Sequence, residues 1–101
     1  MYRLRLMFEW GGGCLWASDE ATRTRFGVGS IEDALGLSAE LLARLAEFSR
    51  RHDTDLDWRN PSGPTKWSPQ ESLRFNDDAL ALADELRAAL GADFSLVYQP
   101  L

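Results

Sequence analysis

The residues of this chain able to do chemistry gather between positions 52 and 69. That stretch holds the only histidine, His52, then Asp53, Asp55 and Asp57, then Trp58, Arg59, Lys66 and Trp67. His52 beside Asp53 and Asp55 has the residue types of a general base or a small ligand site. Two neighbouring patterns argue against metal. Asp53-Thr54-Asp55-Leu56-Asp57 begins like a calcium-binding EF-hand loop, but Trp58 stands at its sixth position and Pro64 at its twelfth. Such a loop needs glycine and a bidentate glutamate there. One histidine and one cysteine are a thin ligand set for zinc, which takes about four donors. No metal and no cofactor is therefore expected.

Cys14 follows Gly11-Gly12-Gly13 and has no base other than His52 to activate it. A cysteine between strand residues reads as a small buried hydrophobe. The triple glycine does not open a helix, so it lacks the amide array of a phosphate-binding loop. His52 falls on the apolar stripe of a helix, which favours a partly buried imidazole hydrogen-bonded to an aspartate. What remains is a binding surface. Tryptophan and arginine concentrate the energy of protein interfaces, and Trp58, Arg59 and Trp67 sit together on a proline-stiffened connection.

The elements around this stretch are legible. Leu4, Leu6, Phe8 and Trp10 alternate with Arg3, Arg5, Met7 and Glu9, as in a half-buried strand. After the glycines, Cys14-Leu15-Trp16-Ala17 returns as a second strand, making a β-hairpin across which Trp10 and Trp16 are placed to pair. Residues 20–26 satisfy two readings. Asp19 as cap, Glu20 first, arginines last and Gly27 after them describe a short helix, whereas alternating Thr22, Thr24, Phe26 and Val28 describe a strand. The agreement of cap, charge order and glycine favours the helix.

Ser38 caps a helix over about 39–51, striped by Leu41, Leu45, Phe48 and His52. Ser68-Pro69-Gln70-Glu71 is a capping box with proline at the first helical position, opening a helix that Gly91 stops. Its apolar stripe reads as Leu73, Leu80, Ala83, Leu86 and Leu90, with Asp77, Asp78, Asp84 and Glu85 on the wetter side. Phe94 to Tyr98 alternates as a last strand. The expectation is a single α+β domain spanning 1–101, in β-β-α-α-α-β order. A small antiparallel sheet carries two main helices on one face.

The chain has 101 residues and a net charge of −5. Residues 1–30 carry four arginines against three acids, and residues 31–101 carry seven basic and thirteen acidic groups. Such a surface repels nucleic-acid phosphates and suits a basic protein partner. No apolar run approaches the ~20 residues that span a bilayer. No signal segment is visible and there is one cysteine, so a cytoplasmic location is expected.

Several segments recur as a set: Phe8-Glu9-Trp10, Cys14-Leu15-Trp16, Phe26-Gly27, Leu37-Ser38, His52-Asp53-Thr54-Asp55-Leu56-Asp57-Trp58, Pro61 to Pro64, Trp67-Ser68 and Leu90 to Phe94. Over nearly the whole chain they resemble a family of small bacterial proteins with no established activity. The chain departs from that pattern with Asp55 in place of serine, Asn60-Pro61 in place of Pro-Pro, and Gly36-Leu37 in place of Pro-Leu. The resemblance implies a helix before Phe26-Gly27 and supports the element boundaries rather than a reaction.

Two expectations follow. The first is a non-enzymatic interaction module, immunity-like or antitoxin-like, that binds a basic partner through Trp58, Arg59, Trp67, Asp77 and Asp78. The alternative is a small enzyme or ligand-binding protein using His52, Asp53 and Asp55, which requires a cavity beside His52. The chain would act as a monomer or as a homodimer joined at a sheet edge.

Overall fold

A computed structural model describes residues 1–101. The elements follow the expected order: β1 (Tyr2–Leu6), β2 (Leu15–Ala17), α1 (Glu20–Phe26), a 3-10 turn (Glu32–Ala34), α2 (Ala39–Asp53), α3 (Pro69–Leu90) and β3 (Phe94–Tyr98). The fold class is the α+β one read from the sequence. The sheet is mixed, not antiparallel. β1 lies in the middle, antiparallel to β2 and parallel to β3. Alternating side chains report which face of a strand is buried but not its direction. Direction is set by where α3 delivers the chain. Gly91 ends that helix at positive φ, and the Tyr2 amide donates to the Asp93 carbonyl, so β1 and β3 start side by side.

Both sheet edges are partly occupied by the chain itself. The Leu96 carbonyl on β3 accepts from Arg87 Nε and a second guanidinium nitrogen. On the β2 side the Ile31 amide donates to the Leu15 carbonyl, and Trp16 bridges Ser30.

Each helix starts where its cap chemistry dictates. Asp19 accepts from the Thr22 amide, Ser38 from the Leu41 amide and Ser68 from the Glu71 amide. At Ser68 the Glu71 carboxylate also returns to the cap amide, completing the capping box. Residues 20–26 are the helix. Thr22 is fully buried and its hydroxyl accepts the Arg3 amide, which ties α1 to β1. At the same end, Phe26 meets Tyr2 and Phe94 with ring centroids 5.0 and 5.8 Å away.

α2 and α3 run antiparallel. Arg44 pairs with Glu85 and, two turns on, Arg51 pairs with Asp78 at 2.7 Å. The Arg51 guanidinium also stands 5.1 Å from the Phe75 ring centroid. These pairs are about half exposed, so solvent screening leaves each a modest contribution to stability.

The core joins Leu4, Leu6 and Phe8 with Leu15, Leu45, Leu96 and Tyr98 and with one face of α3. That face is Phe75, Ala79, Leu82, Ala83 and Leu86. Leu73 and Leu80, expected on the stripe, are 64% and 49% exposed. They lie about half a turn from Phe75. α3 carries leucines on more than one side, and the aromatic cluster around Phe75 decides which side turns in. The expected Trp10–Trp16 pair is also absent. β1 ends at Leu6, Trp16 donates to the Met7 carbonyl, and Trp10 swings onto α2.

Candidate functional site

Only tertiary folding brings the hairpin turn and the 52–69 connection together. Gly11 adopts φ of +72°, a conformation that suits glycine. Its amide, aimed out of the turn, donates to Asp53 Oδ1 at 2.9 Å, forty-two residues away. The Trp58 indole N–H donates to the Asp53 carbonyl, and the edge of its ring lies beside the same glycine, where an added Cβ would meet it at 3.6 Å. Asp55 is buried, and its Oδ1 accepts the Trp67 amide while its carbonyl accepts the Lys66 amide. The Trp67 indole donates to Thr54 Oγ1. The connection is therefore closed on itself by its own aspartates and tryptophans. Asp57 adds a local turn by accepting from the Arg59 amide.

His52 sits at the centre of this closure, 4% exposed. Trp10 stacks on it at 5.6 Å with planes 9° apart, Trp67 meets it edge-on at 6.2 Å, and Phe75 lies 5.8 Å away. The expected hydrogen bond to an aspartate is missing. Asp53 is committed to Gly11 and Asp55 Oδ1 to Trp67, which leaves His52 Nδ1 enclosed with no partner. Burial disfavours the imidazolium and pushes the His52 pKa below its usual value, although the negative charges of Asp55 and Asp53 pull the other way.

The unfolded chain therefore takes up a proton that the native state refuses, so stability is full above about pH 6.5. It falls as pH drops from there toward the lowered native pKa. Urea unfolding midpoints should fall between pH 7 and pH 5.5 in the wild type. They should stay flat over that interval in His52→Leu, and equal slopes in the two proteins would refute the assignment.

A cleft of about 590 Å³ opens beside the imidazole, walled by Met7, Phe8, Trp10 and Pro100 and bordered by Glu9 and Asp55. The cavity that the ligand-site expectation required is thus present. Of its three proposed residues, His52 and Asp55 line it, and Asp53 does not.

The residues expected to bind a partner are distributed around the same connection. Trp58 is 58% exposed and Arg59 is exposed next to it. Trp67 is half-buried, 5.2 Å from Phe75. On α3, Asp77 is exposed, and Asp78 is held by Arg51.

A second cluster was not singled out in the sequence. Glu32 accepts the amides of Cys14 and Leu15, pinning the start of β2 to the 3-10 turn. Gly13 makes room for this, since a Cβ there would collide with the Ser30 side chain. Burial, aided by the Glu32 charge, pushes the Cys14 thiol up to about 12. Native protein should thus leave Ellman's reagent unreacted, and guanidinium should release one thiol per chain. Rapid labelling of the native state would show that Cys14 is accessible. No three His, Cys, Asp or Glu side chains converge to hold a metal ion, and no helix is long and apolar enough to cross a membrane.

The frame is a small α+β domain whose 52–69 connection is closed by its own side chains and leaves Trp58 exposed. Residues 2–101 match the model of the Serratia CdiI immunity protein-like family. The chain belongs to that family. Among curated proteins no match is found. An immunity-type, protein-binding role follows from the membership, in place of the unassigned role that the sequence resemblance implied.

Proposed function

We propose that this protein is an immunity protein that binds a basic protein toxin and blocks its action in the cytoplasm. The observation that carries this reading is the family match across residues 2–101. The charge distribution supports the sign of the partner, with thirteen acidic against seven basic groups from residue 31 onward. Acidic surfaces steer basic partners and raise association rates. The contact surface is centred on Trp58 and Arg59, flanked by Trp67 and by Asp77 and Asp78 on α3. The tryptophans supply anchors and the aspartates supply charge complementarity.

The test is co-expression with a toxin domain encoded beside the gene. Cells should survive only when both proteins are made, the two should co-purify, and the association rate should fall steeply as salt rises. Absence of protection by the wild-type chain would end the reading. A salt-independent association rate would remove the basic partner while leaving the immunity role.

The ligand-binding alternative is favoured by one observation, the cleft beside His52. Its residues are better described as a recognition pocket than as a catalytic pair. Asp55 Oδ1 already holds Trp67 and Asp53 holds Gly11.

A further inference from the structure

The cleft over His52 combines features that the contact surface around Trp58 does not. Two carboxylate residues, Glu9 and Asp55, border it, and no lysine or arginine does. The Asp55 carboxylate makes one hydrogen bond, through Oδ1, so Oδ2 has no partner in the fold. His52, 96% shielded from solvent, lines the cleft, and its enclosed Nδ1 has no partner. Trp10 covers His52 with one face of its indole and is still 43% exposed. Two hydrogen bonds within the fold tie its walls in place. The Gly11–Asp53 bond holds the turn that follows Trp10, and the Trp67–Asp55 bond holds the carboxylate. A site fixed in this way loses little entropy on binding.

Negative charge without a counter-charge, beside an exposed aromatic face and an apolar wall, calls for a planar cation on an apolar stem. Arginine has that shape. Its guanidinium carries five donors, pairs with carboxylates and stacks on indole rings. Its methylenes suit Met7 and Phe8, which line the same cleft. The cleft holds about 590 Å³, ample for one such side chain.

We propose that the cleft formed by Trp10, His52, Glu9 and Asp55 is a socket for an arginine side chain presented by the protein partner. This rests on the protein-binding reading above and adds the residue type that the partner must offer. It also places a second point of attachment on the hairpin side of the 52–69 connection.

The experiment titrates the intact protein with acetyl-Gly-Arg-Gly-amide, followed by the NMR signals of the Trp10 indole and the His52 ring. The neutral citrulline peptide of the same shape is the control. Concentrations reach about 50 mM, because one anchored side chain gives millimolar affinity at best. The arginine peptide should shift both signals saturably, and the citrulline peptide should bind at least about tenfold more weakly. Glu9→Gln/Asp55→Asn should lose the same factor. Asparagine at 55 retains the acceptor for the Trp67 amide. If that pair unfolds, Glu9→Gln alone tests an exposed side chain that makes no hydrogen bond.

Equal response to both peptides, or no response to either, overturns the socket. With the toxin in hand, Glu9→Gln/Asp55→Asn should weaken the complex by about tenfold or more. Unchanged affinity there overturns the socket and leaves the immunity reading intact. Absence of any complex with the wild-type chain removes the immunity reading, and the peptide titration still decides the socket.

Discussion

Phe75→Ala should destabilise the protein by about 3–5 kcal/mol, the range for deleting a buried phenyl ring. The ring is fully buried and touches four other rings. Phe8 lies 5.0 Å away, Trp67 5.2 Å, and Phe48 and His52 each 5.8 Å. It is the point where α2, α3, the 52–69 connection and the segment after β1 meet. A domain of this size has roughly 5–15 kcal/mol in total, so the variant would stand near the edge of folding. Urea unfolding followed by tryptophan fluorescence measures it. The neighbouring control is Leu73→Ala on the exposed face of the same helix, which should cost no more than about 0.5 kcal/mol. Similar losses for the two would mean that α3 is turned the other way and that the described core is wrong.

Trp58→Ala should leave the fold nearly intact and weaken partner binding by about 2 kcal/mol or more, roughly thirtyfold in Kd. The side chain is 58% exposed, so its removal empties no core cavity. Its one hydrogen bond, to the Asp53 carbonyl, is worth on the order of 1 kcal/mol. What the substitution removes is a large aromatic anchor beside Gly11, tied to the connection by its indole hydrogen bond. Calorimetry with the toxin domain gives the affinity, and a thermal melt shows whether the fold survives. An affinity within about threefold of wild type would move the contact surface away from this connection.

The contrast between Phe75 and Trp58 shows how much of the site could be read from residues alone. Both are large aromatics next to polar sequence, and neither composition nor spacing tells them apart. Leu73 and Leu80, seven residues apart, fall on one line of α3, and Ala83, Leu86 and Leu90 extend an apolar pattern beside it. Phe75, Ala79, Leu82 and Leu86 share the opposite line, about half a turn from Leu73 and Leu80, and it is this one that is buried. The choice between two possible faces was made by partners from distant elements, Phe8 above all. His52 is the reverse case. Its place on the buried stripe of α2 was visible in the sequence, since Leu41, Leu45 and Phe48 precede it at regular intervals. Its lack of an aspartate partner was not, because Gly11 and Trp67 claim the carboxylates through contacts forty-two and twelve residues long.

The sequence by itself determined the local elements. Caps at Asp19, Ser38 and Ser68, glycines at 27 and 91, and period-2 alternation in the strands act over a few residues. Their hydrogen bonds close within one turn or one hairpin, so they survive without knowledge of the rest. The tertiary structure alone decided the direction of β3, the face of α3, and the meeting of the hairpin turn with the 52–69 connection. Each of these depends on which distant groups satisfy a buried donor or fill a cavity, and that is a property of the whole packed chain. The connection that gathers the reactive residue types is thus a clasp made by tertiary contacts, with Trp58 on its outer face and a carboxylate-bordered cleft over His52 on its inner side.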